Sequence, residues 1–309
     1  MGRFIVRRLV QTIPVLLGVA TLVFLLIHLV PGDPVQAMLG DTAEPADVAR
    51  LRAQLGLDRP LYVQYLAFLA DAATGDFGTS LRTREPVFRS IVARLPATGE
   101  LALAAVCIAV TLAIPLGVLA AVRARTRVDR AATLLALVGA SIPSFWLGPL
   151  LALVFSIALG WLPVSGRGTV AHLVLPAITL SAPLAAVLMR LTRASVIEEI
   201  RELYVLAALA RGASQARAVL RHALRNSLVP VITVLGLQVG SVLTGAVITE
   251  TIFAWPGVGR LLVQSIGFRD YPMVQGCILL IAVIYVSVNL LVDILYGVLD
   301  PRIRMGHAG

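Results

Sequence analysis

Six long apolar stretches, separated by polar segments of unequal length, divide this chain. They run over residues 9–30, 101–122, 131–158, 171–189, 228–249 and 277–296. About 20 mostly apolar residues suffice to cross a bilayer as a helix, so the pattern predicts six membrane-spanning helices. Arg3, Arg7 and Arg8 precede the first stretch, as in a secretory signal. The stretch is longer than a signal core and no small-x-small cleavage site follows it, which predicts an uncleaved helix. The third stretch contains Pro143 and Pro149, which a packed membrane helix tolerates as kinks.

Residues 31–100 form the one sizeable polar region. Two short amphipathic helices are expected there, over 44–55 and 61–73, with turns at PGDP (31–34) and GDFG (75–78). Thr98, with Glu100 beside it, reads as the N-cap of the second span. The expected organisation is therefore 1–30 (N-terminus and first span), 31–100 (extracytoplasmic), 101–297 (the membrane core with a loop at 198–225) and 298–309 (tail).

Composition agrees. Among 309 residues 58% are hydrophobic and 14% charged, with a mean hydropathy of +0.90, whereas soluble domains carry roughly a quarter charged residues. All 26 basic residues are arginine. Without lysine the chain can hold neither a Walker A phosphate site nor a Schiff-base nucleophile, so any ATP would be bound by another chain. Sixteen arginines fall on the side facing residues 1–8, after the second and fourth spans and in the tail; the short loops opposite hold only Arg167, Arg260 and Arg269. The positive-inside rule then places both termini in the cytoplasm. The arginines accordingly read as membrane-edge residues, not as a nucleic-acid surface. Cys107 and Cys277 lie in apolar stretches, and His28, His172, His222 and His307 are scattered, so no disulfide or metal site is expected.

The segment 198–225, EEIRELYVLAALARGASQARAVLRHALR, is too polar to cross a membrane. A short helix is expected from Tyr204 to Arg211, ended by Gly212, with Ser214 capping a second helix over 215–224. Ala207, Ala208 and Gly212 allow a partner backbone to approach closely, and Arg211, Arg217 and Arg221 supply charge at the rim. The alternative is a solvated basic loop that only sets topology.

Leu206-Ala207-Ala208, then Gly212, then residues 222–225 follow the spacing of the EAA loop of ABC importer permeases, E-A-A-x3-G-x9-I-x-L-P. Leu206 replaces the glutamate, His222 the isoleucine and Arg225 the proline. RHALRNSLVPV (221–231) resembles the variant in peptide and nickel permeases. HLVPGDPV (28–35), LGLDRPLYVQY (55–65), GDFGTS (75–80) and the outer segment at 250–276 resemble further blocks of the same family. The chain is identified by this resemblance as a B-type permease subunit of the dipeptide/oligopeptide (peptide/nickel) ABC importers. The resemblance implies an all-α, six-helix, MetI-like fold in the bacterial inner membrane. It implies partners as well: a C-type permease subunit, two ATPase subunits that bind ATP and Mg, and an extracytoplasmic binding protein that delivers peptide. This chain would be a non-catalytic transport subunit without a cofactor of its own. Tyr204, Ala207, Ala208, Arg211, Gly212, Ser214, Arg217 and Arg221 would form the ATPase-docking surface. Nickel and glutathione are alternative cargoes.

No carboxylate or histidine falls mid-span, which disfavours a proton-coupled carrier. Gln238, Ser241 and Thr244 approximate helical spacing and Asn289 sits on the sixth span; these four either line a pathway or pack helices together. Asp293 is a candidate to pair with an arginine such as Arg190 or Arg193, and the sequence does not choose the partner. Trp255, Arg269 and Asp270 are candidates for docking the binding protein, with interfacial anchoring of Trp255 and local pairing of Arg269 and Asp270 as the alternatives.

Overall fold

The computed structural model describes residues 2–29, 35, 44–54 and 56–299; the turn expected at 31–34 and the tail arginines Arg302 and Arg304 lie outside them. In chain order the helices are α1 (Gly2–Leu29), α2 (Pro45–Gln54), α3 (Leu61–Thr74), α4 (Val87–Val92), α5 (Leu95–Val122), α6 (Arg127–Ser141), α7 (Ser144–Leu151), α8 (Val170–Glu199), α9 (Leu203–Ala210), α10 (Gln215–Ala218), α11 (Leu224–Ile252), α12 (Val258–Gly267) and α13 (Tyr271–Leu299). Winding is π-helical over Ala152–Ala158, after α7, and over Val219–Ala223, between α10 and α11. Among the described residues there is no strand, only an isolated antiparallel bridge between Thr79 and Pro86. Among the described residues, five helical segments are long and apolar enough to cross a membrane: Val6–Leu26, Val87–Val122, Val170–Glu199, Gln215–Ile252 and Tyr271–Ile294. The third predicted span is the exception, because α6 and α7 meet at 106°. The fold is that of an all-α integral membrane protein.

That sharp bend corrects the expectation of one kinked helix over 131–158. A residue before proline is pushed out of the α region, and Ile142 lies at φ −82°, ψ 118°. Pro143 then starts a new helix with no N–H to donate back. Thr98 is a second correction. Helix α5 already begins at Leu95, so Thr98 lies inside it and its hydroxyl donates to the Glu250 carboxylate at 2.6 Å.

The chain divides into two compact units, residues 1–96 with 257–309, and residues 97–256. In the first, α1 packs along α13, where the Gln275 amide donates to the Val23 carbonyl at 3.1 Å. The arginine that pairs with Asp293 is Arg8, at 3.3 Å, in place of the examples Arg190 and Arg193. Helix α4 seats Val87 and Ile91 against α13 at Gly276, where a Cβ would come within 2.5 Å of Val87 Cγ1. Tyr65 of α3 shares a 2.7 Å hydrogen bond with Thr21 of α1, and the Phe24 ring meets Tyr65 edge-on and Phe68 at a tilt.

The second unit is built on a ladder of small residues along α5. Ala97, Leu101, Ala105, Ala109, Ala113 and Gly117 recur every four residues, and all are buried. Spacing of four keeps them on one face, and small side chains let membrane helices approach closely. At Gly117 an added Cβ would meet Thr192 Cβ at 2.7 Å and the Met189 carbonyl at 2.8 Å. Helices α8 and α11 pack together over Leu180, Leu184, Val242 and Ala246. The Asp129 carboxylate joins α6 to α8: Arg193 donates to it from Nε and Nη2, at 2.5 and 2.8 Å, and the Arg125 backbone N–H donates at 2.8 Å.

Candidate functional site

The segment 198–225 folds as a bracket at the foot of two long helices. Helix α9 ends in a Schellman motif: the Gly212 N–H reaches the Leu209 carbonyl at 2.9 Å and the Ala213 N–H reaches the Ala208 carbonyl at 3.1 Å. The motif requires a left-handed residue, and Gly212 has φ +89°. Ser214 is the next N-cap, its hydroxyl accepting from the Arg217 N–H at 3.4 Å. The expected hinge and cap are therefore in place. The expected separate second helix is not. Helix α10 is one turn long and continues through the π-helical Val219–Ala223 into α11, giving one run over Gln215–Ile252.

Two apolar clusters fix the bracket. Val205 of α9 packs on Ala218 and Ala223, with Ile200 and Leu209 at the margin. Val219 packs on Val196 of α8 and Ala121 of α5. The Tyr204 hydroxyl donates to the Glu199 carboxylate and accepts from the Asn226 amide at 2.9 Å. Partial desolvation, reinforced by that carboxylate, raises the Tyr204 phenol above its ordinary value, so it remains a neutral donor at physiological pH. Buried side chains thus connect α9 to the bases of α5, α8 and α11.

Seven of the eight residues expected on the docking face are exposed: Tyr204, Ala207, Arg211, Gly212, Ser214, Arg217 and Arg221. Ala208 is the correction. It is buried on the inner side of α9 and serves packing. The apolar part of the outer face comes instead from Leu203, 81% exposed, and Leu206, 47% exposed. Leu206 occupies the position where the EAA pattern has its glutamate, which was the available signal.

The polar line on α11 is mostly satisfied within its own helix. Thr233, Thr244 and Thr249 donate to the carbonyls four residues earlier, at 2.9, 3.2 and 3.1 Å. Ser241 and Thr244 are exposed and Gln238 is half-buried. Gly240 is buried, and a Cβ at Gly245 would touch Leu180 Cδ1 at 3.0 Å. Packing therefore occupies the glycine face. Asn289 belongs to the other unit and donates to the Tyr285 carbonyl at 3.1 Å.

Two of the three docking candidates are internal. Trp255 is fully buried and its indole N–H donates to the Ala97 carbonyl at 2.8 Å, so it neither anchors at an interface nor meets a partner. Asp270 is buried as well, and it accepts from the Ser80 hydroxyl at 2.5 Å, the Leu81 N–H at 3.2 Å and the Met273 N–H at 3.4 Å. It caps α13 and ties down the loop at 79–86. Arg269 is exposed, at φ +55°.

Among the described residues no group of three or more His, Cys, Asp or Glu side chains is placed to hold a metal. Residues 113–305 match the family described as binding-protein-dependent transport system inner membrane component, and residues 1–102 match its N-terminal counterpart. The chain is 46% identical to the di/tripeptide transport system permease protein DppB of Pseudomonas aeruginosa, over 97% of this chain and 98% of that one. It is 43% identical to the dipeptide transport system permease protein DppB of Escherichia coli K12, over 98% and 99%. It is also 43% identical to the glutathione transport system permease protein GsiC of Salmonella choleraesuis, over 98% and 99%. A crystal structure of an amino acid ABC transporter with histidines shares the fold, with a TM-score of 0.50 at 18% identity over 69% of this chain and 94% of that one. The chain belongs to the family of binding-protein-dependent transport system inner membrane components.

Proposed function

We propose that this chain is the B-type membrane subunit of an ATP-driven importer of short peptides. It supplies half of the translocation path and has no catalytic activity. The observation that carries this reading is the bracket at 198–225. An exposed apolar and arginine-rimmed face is joined through buried contacts to the feet of three long helices. A loop that only set topology would need neither the Schellman turn nor the clusters around Val205 and Val219. The absence of lysine puts ATP and Mg on partner ATPase subunits. The remaining partners are a C-type permease and an extracytoplasmic binding protein. Arginine placement orients the subunit in the bacterial inner membrane with both termini in the cytoplasm.

Dipeptides are the favoured cargo, because both DppB relatives are named for them, one for tripeptides as well, and both match over nearly the full chain. The equally similar glutathione permease fits the same class, since glutathione is itself a short peptide. Among the described residues the metal-ligand grouping that direct nickel binding would use is missing. The test is reconstitution of the purified complex in liposomes with its binding protein, followed by uptake of labelled dialanine, glutathione and nickel. ATP-dependent uptake of dialanine is expected. Uptake independent of ATP would refute the reading in favour of a secondary carrier, and nickel uptake alone would refute the peptide assignment.

A further inference from the structure

We infer that a cavity in the first unit receives an acidic side chain of the binding protein. This rests on the importer reading and adds to it a place and a chemistry. The cavity, about 320 Å³, lies where the loop at 79–86 meets the turn between α12 and α13, and Arg82, Arg94, Gln264, Phe268 and Asp270 help to line it. It sits at the Tyr271 end of α13, opposite the end where Asp293 meets Arg8. In the proposed orientation that end faces the binding protein.

Two cations converge there and each is held differently. The Arg82 guanidinium lies 3.3 Å above the Phe268 ring, an arrangement that keeps its charge while fixing its plane. Arg94 is half-buried, and its side chain has no hydrogen bond or ion pair among the described residues. Its guanidinium nitrogens are not sealed off from solvent, so an incoming carboxylate can reach them. Asp270 shares the cavity but does not form the pair; its oxygens already take the Ser80, Leu81 and Met273 donors. The cavity therefore presents arginine donors in want of an acceptor, and a carboxylate matches their planar fork.

The rim favours a protein partner over a phospholipid headgroup. Phe268 is 54% exposed against Arg82, and protein interfaces are enriched in aromatic residues and arginine. The loop is also pre-formed. Asp270 clamps Ser80, and the Thr79–Pro86 bridge closes its neck, so little ordering accompanies docking.

The experiment uses the assembled complex in nanodiscs, with its ATPase titrated by substrate-loaded binding protein. Arg94→Gln and Arg82→Gln are each expected to raise the half-saturating binding-protein concentration at least fivefold, and Arg94→Glu more. Basal ATPase and subunit stoichiometry should not change. Rising salt should weaken the wild type towards the variants. Arg82 is on the surface, so its variant reports even if Arg94 variants assemble poorly. Unchanged half-saturation in assembled Arg82→Gln and Arg94→Gln complexes overturns the inference. So does a shift that appears only in anionic-lipid nanodiscs and vanishes in phosphatidylcholine, which would assign the cavity to lipid. Failure of the wild-type complex to bind ATPases at all would instead sink the importer reading.

Discussion

Replacing Asp129 with alanine is expected to destabilise the second unit by about 3 kcal/mol. Breaking one side of a buried ion pair costs roughly 3–5 kcal/mol, because the surviving charge is left desolvated. Here the Asp129 side chain is 6% exposed and Arg193 30% exposed, so the stranded guanidinium keeps some water and the lower end of that range applies. Loss of the acceptor for the Arg125 N–H contributes about 1 kcal/mol of this total. Asp129→Asn retains an oxygen acceptor but not the charge, and should lose about half as much. The double variant Asp129→Ala with Arg193→Met removes the stranded charge, so it should be less damaging than the sum of the singles by about 2 kcal/mol. Equilibrium unfolding in mixed micelles, titrated with a denaturing detergent, reads the wild type, the single variants Asp129→Ala, Asp129→Asn and Arg193→Met, and the double variant. A loss below about 0.5 kcal/mol for Asp129→Ala, the range of an exposed pair, would refute the reasoning. Strict additivity in the cycle would do the same.

Three further outcomes follow from local geometry. Gly117→Ala places a Cβ 2.8 Å from the Met189 carbonyl, a backbone atom that does not yield easily, and should cost about 1–3 kcal/mol in the same unfolding assay. Ser156 lies in the π-helical Ala152–Ala158, and its hydroxyl is the one buried side-chain polar atom without a partner among the described residues; Ser156→Ala should therefore leave stability unchanged or raise it by about 1 kcal/mol, and a clear loss would show that the hydroxyl is bonded. Gly212→Val meets no atom within 4 Å but must hold φ +89°, a strain of about 1–2 kcal/mol confined to the turn; assembly should survive while substrate-stimulated ATPase falls, and normal stimulation would contradict the role given to the turn.

The spans and the bracket were legible because their signals are local. Apolar run length set the helices, and Gly212 and Ser214 announced a stop and a start within three residues. The four-residue ladder of Ala105, Ala109, Ala113 and Gly117 was present in the pattern too, as the contact face of an otherwise uniformly apolar helix. What escaped was pairing at long range. Nothing near Thr98 points to Glu250, 152 residues away, and Asp129 could have met any of several arginines. Trp255 illustrates the same limit. A tryptophan beside Pro-Gly suits a membrane surface as well as a core, and only the carbonyl of Ala97 decides between them. Asp270 read as exposed for a similar reason, since its partners Ser80 and Leu81 lie in a loop nearly two hundred residues upstream. Pro143 was visible, but a proline can either kink a helix or end it, and only the extended Ile142 shows which happens here.

The central claim is that the face of α9 and the turn after it meet an ATPase subunit whose nucleotide cycle moves them. The most direct measurement is cysteine cross-linking from Leu206→Cys, in a background lacking Cys107 and Cys277, to the co-purified ATPase. Efficient cross-linking that changes between ATP-bound and nucleotide-free states is the predicted result, with little from Ala208→Cys, which points inward. Cross-linking equally weak at both positions, in a complex that still hydrolyses ATP on addition of peptide and binding protein, would contradict the account.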